Sequence, residues 1–136
     1  MPEGTRPTRL AIAQEFLMSV GNDNVGPSMA LLSPHATYRV TGNHALAGVF
    51  SGTEDIARHL AALHQRTGGT FETVKWEDWM VGEQHVAALS DVHIRSGGQK
   101  YMARHLTLVR FDADDKILEI TVLFEDESSM ARFIGA

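Results

Sequence analysis

Seven histidines, two tyrosines and a few strand carboxylates are the groups in this chain that could move a proton. His105 has the most informative setting. It lies in YMARHLTLVRF, residues 101 to 111, where alternation puts Tyr101, Ala103, His105, Thr107, Val109 and Phe111 on one strand face. The opposite face carries Arg104 and Arg110, so the first face is the one expected to meet the interior. An imidazole with an ordinary pKa of about 6.5 suits general acid or base work there. The plainer reading is a core histidine satisfied by Ser90, Thr107 or a water.

Tyr38 and Asp78 are the other catalytic candidates. Tyr38 shares a strand face with Val40, and its hydroxyl could donate to a ligand carbonyl; ordinary packing is the alternative. Asp78 stands between Trp76 and Met80 in the strand expected at 70–81. On a concave face it would be a lone strand carboxylate, and burial would raise its pKa. On an edge or a bulge it would be solvated instead. Alternation then sends Trp79 outward, as a rim or dimer residue. His44, in the glycine-rich stretch TGNHALAGVFSG, should border the mouth of any pocket, as a ligand contact or as a solvated loop residue. His59 and His64 are five apart on one expected helix and so do not share a face. With no cysteine and scattered histidines, neither a metal site nor a cofactor is expected.

The elements that must hold these groups can be read along 136 residues, enough for one domain with a real core. Residues 1–6 read as a loose tail. Leu10, Ala13, Phe16, Leu17 and Val20 then recur at helical spacing up to Gly21, which makes Phe16 a further candidate wall of the pocket. Asp23 or Asn24 is placed to cap a short helix carrying Met29, Leu31 and Leu32, stopped before Pro34. HATYRV reads as a strand and 41–52 as a loop. Ser51 and Glu54 have capping-box spacing for a helix with an Ile56, Leu60, Leu63 stripe ended by Gly68-Gly69. Strands follow at about 70–81, 84–95, 99–112 and 116–125, and a last helix at about 127–134. The order gives an α+β fold with helices on one face of a curved antiparallel sheet.

Two turns test the face assigned to His105. Gly97-Gly98 as a two-residue hairpin turn pairs Ser96 with Gln99, Ile94 with Tyr101, Ser90 with His105 and Asp91 with Arg104. Asp114-Asp115 as the next turn pairs Phe111 with Leu118, Val109 with Ile120, Thr107 with Val122, His105 with Phe124 and Arg110 with Glu119. Both hairpins sort the residues alike. One face is apolar apart from Ser90, His105 and Thr107; the other carries the charges, Asp91 included. Ser90, Thr107, Trp76, His44, Val122, Phe124 and Phe16 are therefore the expected ligand contacts.

The stretch LLSPHATYRVTGNHALAGVFSGTEDIARHLAAL resembles the SnoaL-like polyketide cyclases of the NTF2-like superfamily. Gly42, Leu46, Ala47, Gly48, Gly52 and Ile56 fit the family's loop into a helix. GGTF, the glycine-turn hairpin, ILEI and FEDE continue the match through the C-terminal half. The resemblance implies a cone, a bent sheet wrapped around helices with an apolar cavity open at one end, and dimers are common in the family. It also implies a working carboxylate on the last long strand, in a run that corresponds to Glu119, Ile120, Thr121 and Val122. The acid's position is Val122 here. The Asp-Arg-Asp set of the family's epoxide hydrolases and the tyrosine plus two acids of its isomerases are not evident.

Bulk properties narrow the remaining choices. A formal net charge of −5 argues against nucleic acid, which wants a basic face. No apolar run approaches the roughly 20 residues of a membrane span, and MPEGTRPTR lacks the apolar core of a secretory signal, so a cytoplasmic protein is expected. The expected partners are a hydrophobic small molecule and a second copy meeting across Leu106, Leu108, Thr121 and Leu123. The expected function is acid–base isomerisation, cyclisation, dehydration or hydrolysis of a polyketide-, terpenoid- or steroid-like compound without a cofactor. The alternative is a non-catalytic binder of such a molecule, or a dimerising module.

Overall fold

The computed structural model describes residues 5–21 and 24–135. Helix α1, Thr5–Gly21, buries Ala13, Phe16, Leu17 and Val20, the i, i+3, i+4, i+7 stripe of an amphipathic helix. It already contains Thr5 and Arg6, which were expected in the tail; residues 1–4 lie outside the described residues. A short 3-10 segment follows at Gly26–Leu31, preceded by Val25 with no side-chain cap. Asn24 does not cap it: its backbone N–H donates to the Ser19 carbonyl at 2.9 Å. Asp23 lies outside the described residues.

Strand β1, Leu32–Val40, starts earlier than expected and takes in Leu32 and Pro34. Proline is tolerated because pairing with the neighbouring strand is interrupted between Leu32 and Thr37. The stretch expected as a loop contains β2, Gly48–Ser51, paired antiparallel to β1 with Thr37 opposite Ser51. Ser51 is a strand residue and does not form the expected capping box. Helix α2, Thr53–Arg66, has Gly52 as its N-cap, at φ 86° and with no side-chain cap bond. Glu54 and Asp55 still occupy the first turn, where the helix dipole favours acids.

The remaining strands are β3, Glu72–Val81, β4, His85–Ser96, β5, Gln99–Phe111, and β6, Ile117–Phe124. One sheet is formed in the order β2-β1-β6-β5-β4-β3. All of its neighbouring pairs are antiparallel except β1 and β6, which run parallel, so the sheet is mixed rather than antiparallel throughout. The β4–β5 register is the one expected, from Ser96 opposite Gln99 to Ser90 opposite His105. Gly97 at φ 57° and Gly98 at φ 81° supply the two positive φ angles that a tight hairpin of matching twist requires.

The β5–β6 register also agrees at His105–Phe124, Thr107–Val122, Val109–Ile120 and Arg110–Glu119. It departs at the turn, where Phe111 faces Ile117 and not Leu118. The Asp112 carboxylate accepts from the backbone N–H groups of Asp114 and Lys116, which lengthens the turn and shifts the register by one. Ile117 is therefore buried and Leu118 half-buried.

The helices cover one sheet face in two clusters. Phe16 and Val20 of α1 and Ile56 and Leu60 of α2 pack on Tyr38, Val86, Val109 and Ile120. Helix α3, Glu127–Ile134, is capped by Asp126, whose side chain accepts from the Ser128 N–H. It brings Met130, Phe133 and Ile134 onto Val92, Ile94 and Tyr101. Phe124 packs against both clusters. The polar inner residues Ser90, His105 and Thr107 fall at this seam.

Candidate functional site

A pocket of about 70 Å³ lies at the join of the two clusters. Leu17 and Val20 come to it from α1, Tyr38 and Val40 from β1, His59 and Leu63 from α2, and Trp76 from β3. Ser90 and Val92 of β4, His105 and Thr107 of β5, and Val122 and Phe124 of β6 complete the sheet side. His44 and Leu46 close it from the segment between β1 and β2, and Met130 from α3. Strand alternation explains the sheet contribution: inward positions two apart on three adjacent strands form one patch.

His105 is 6% exposed. Its Nε2 lies 3.1 Å from the Tyr101 hydroxyl, and its ring meets Phe124 edge-on at 4.5 Å. Burial, and secondarily the field of His44, lower its pKa to about 4, so it is a neutral imidazole at physiological pH. Tyr38 is buried, and burial pushes its phenol well above the usual range; its hydroxyl is a donor, not an anion. His44 is buried too. The Leu46 N–H donates to its Nδ1 at 3.2 Å, so its proton sits on Nε2, 3.1 Å from the Thr41 carbonyl that accepts it.

His59 was not expected in the site. It is 6% exposed, stacked on Phe50 at 4.1 Å and tilted against Tyr38 at 5.2 Å. Burial, then the field of His44, lower its pKa to about 4. Its position three residues after Ile56 puts it on the buried stripe of α2. His64, further along α2, turns to the Val20 carbonyl of α1, with Nε2 2.9 Å from it.

Polar satisfaction separates structural from available groups. No side-chain nitrogen or oxygen sealed from the surface lacks a partner among the described residues. Yet the hydroxyls of Tyr38, Ser90 and Thr107 and the ring nitrogens of His59 make no hydrogen bond there. These atoms are therefore accessible to a visitor and not locked in a network. Among the described residues the lining includes no carboxylate, lysine or arginine, and no cluster of three or more His, Asp or Glu is placed to hold a metal.

Two expected site residues lie elsewhere. Phe16 is fully buried and belongs to the packed core rather than the pocket wall. Asp78 is exposed because β3 is an edge strand whose register shifts between Trp76 and Asp78. The shift puts Asp78 opposite Leu89 and Trp79 opposite Ala88. Trp79 thus turns inward, stacked on Trp76 at 4.9 Å, instead of outward as alternation predicts. His105, Tyr38, Ser90, Thr107, Trp76, His44, Val122 and Phe124 do meet around the pocket.

A bent sheet closed over helices, with a polar spot in an apolar recess, defines the NTF2-like class of α+β proteins. The chain belongs to the SnoaL-like domain family, whose profile matches residues 13–120. No curated protein matches the sequence. Solved structures agree on the fold. An NTF2-like protein from Burkholderia xenovorans superposes with a TM-score of 0.75 at 15% identity, covering 93% of this chain and 95% of that one. A putative SnoaL-like polyketide cyclase from Shewanella denitrificans gives 0.73 at 16% identity, over 93% and 96%. TerC, co-crystallised with polyporic acid, gives 0.80 at 13% identity, over 94% and 98%. Among the described residues no helix is long and apolar enough to cross a membrane.

Proposed function

We propose that the chain, as one domain, binds a small hydrophobic carbonyl compound in this pocket and acts on it by acid–base chemistry. The observation that carries the reading is the convergence of His105 with the unpartnered hydroxyls of Tyr38, Ser90 and Thr107 on an otherwise apolar recess. A neutral imidazole can take a proton from the carbon next to a carbonyl: the C–H bond breaks, an N–H bond forms and the electron pair passes to the carbonyl oxygen. Hydroxyl donors at that oxygen stabilise the charge where it develops. No step calls on a cofactor. The pocket of about 70 Å³ is far below the 300–1,000 Å³ of typical drug-sized sites, so the ligand is closer to a single ring than to a multi-ring polyketide, terpenoid or steroid. TerC's co-crystallisation with polyporic acid supports a small organic ligand on this fold.

Trp76 in the pocket wall is the reporter for a test. Small cyclic enones should quench its fluorescence saturably, and deuterium should exchange into the position next to the carbonyl. His105→Leu should weaken both. Saturable quenching with no exchange favours the second reading, a binder without turnover, which the valine at position 122 supports. No quenching by any such compound sinks both.

The chain is further inferred to pair with a second copy through the outer sheet face. Leu106, Leu108, Thr121 and Leu123 are half-buried in the isolated chain. Ion pairs rim them: Arg104–Glu125 at 3.1 Å and Arg110–Glu119 at 3.3 Å. An apolar centre with a polar rim is the anatomy of an interface.

A further inference from the structure

We propose that the ligand of this pocket is a weak organic acid, a phenol or a stabilised enol, held as its anion against an imidazolium formed on His105. The proposal rests on the acid–base reading of the same pocket and narrows its ligand class.

The argument begins with what faces the recess. Among the described residues the lining has no carboxylate to meet a cation and no lysine or arginine to meet a permanent anion. It has three imidazoles, His44, His59 and His105. Neutral imidazoles are proton acceptors, so the ligand that fits is an acid that yields a proton on binding. Burying an unpaired anion is costly, whereas the resulting ion pair carries its own counter-charge into the recess. The aromatic walls, Trp76 and Phe124, suit a planar ring or enol.

Only one imidazole is well placed to take that proton. Both nitrogens of His44 are used by the backbone, Nδ1 by the Leu46 N–H and Nε2 toward the Thr41 carbonyl; a second proton would break the Leu46 bond. His59 is walled in by the Phe50 and Tyr38 rings. His105 differs. The Tyr101 hydroxyl beside its Nε2 can donate to the neutral ring or accept from the charged one, leaving Nδ1–H for the ligand anion. The groups facing His105 from neighbouring elements are His44 before β2, Ser90 on β4, Thr107 and Tyr101 on β5, and Phe124 on β6. Burial, and after it the field of His44, keeps the unliganded ring neutral.

The probes are 4-nitrophenol and its methyl ether, 4-nitroanisole, compared just above the phenol's own pKa. The phenol should bind at least about tenfold tighter than the ether. Calorimetry in two buffers of different ionisation heat should show between about half a proton and one proton taken up per phenol bound, equal to the fraction of phenol already ionised in solution, and the bound phenol should keep the visible absorption of its anion. His105→Gln should abolish the uptake and with it the phenol's advantage over the ether. Equal affinities, no uptake or loss of the anion's absorption would overturn the weak-acid assignment; the apolar-ligand reading would survive, since the ether still binds. Failure of both probes, together with silent enone titrations, would remove that reading and this one with it. The wild-type comparison decides even if the variant does not fold.

Discussion

His105→Leu tests both the placement and the charge state of the central histidine. At neutral pH the substitution removes the contact between Nε2 and the Tyr101 hydroxyl, a loss of about 1 kcal/mol. It adds buried aliphatic surface at a site only 6% exposed, a gain of about the same size. Stability near pH 7 should therefore change by less than about 1 kcal/mol. Acid changes the balance. Folding lowers the His105 pKa from 6.5 to about 4. The unfolded chain thus binds the proton first, and the stability present above pH 6.5 is lost as pH falls toward 4. By about pH 5 the wild type should have lost about 2 kcal/mol through this one group. The leucine variant escapes that loss, so relative to wild type it should gain about 2 kcal/mol between pH 7 and 5, roughly 8 °C in thermal midpoint for a chain of this size. Carboxylates and His59 titrate equally in both proteins and cancel in the difference. Thermal midpoints across this pH range, with enone affinity measured alongside, supply the data. A difference that stays flat with pH would falsify the buried neutral imidazole. A large loss at neutral pH with unchanged ligand affinity would show a structural histidine and a misplaced site.

Three further outcomes are expected. Tyr38→Phe should leave the thermal midpoint within a few degrees and weaken binding of carbonyl ligands about tenfold, since the hydroxyl makes no bond within the protein; equal affinity in a fluorescence titration would remove Tyr38 from the site. Asp78→Asn, at an exposed position of an edge strand, should change neither stability beyond about 0.5 kcal/mol nor turnover. A loss of isotope exchange in this variant would restore Asp78 as a catalytic acid. Leu123→Glu should convert a dimer to a monomer in sedimentation without altering the fold, and a wild type already monomeric at about 50 µM would refute the pairing.

Some of this was legible in the sequence and some could not be. The β4–β5 register followed from Gly97-Gly98 because two glycines in sequence select one turn geometry, and one turn fixes every pair beyond it. That register alone put Ser90 beside His105. The next turn was legible except for its own chemistry: an aspartate that satisfies two backbone N–H groups looks in sequence like any other acidic loop residue. Strict alternation failed on β3, where the register shifts between Trp76 and Asp78; an inserted residue leaves no compositional mark, and it exchanged the faces of Asp78 and Trp79. His59 lies on the buried stripe of α2 beside Ile56 and Leu60, but a titratable side chain carries no apolar signal by which spacing alone would mark it as buried. Ser51 has the spacing of a cap, yet strand pairing with Thr37 claims it, a tertiary contact that local spacing does not encode.

The two ends of the sheet have a consequence for how the protein behaves when crowded. At one border stands a strand of four residues, Gly48–Ser51. At the other stands β3, irregular in its pairing and carrying exposed Glu72, Lys75, Glu77 and Asp78. A short border offers few open backbone groups, and a kinked, charged one cannot lie flat against an incoming strand. Growth by edge-to-edge strand addition, the route to fibrils, is blunted on both sides. Copies cannot readily continue one another's sheet. Straightening β3 by deleting Glu77 should weaken that protection and raise thioflavin-positive aggregation above the wild-type level.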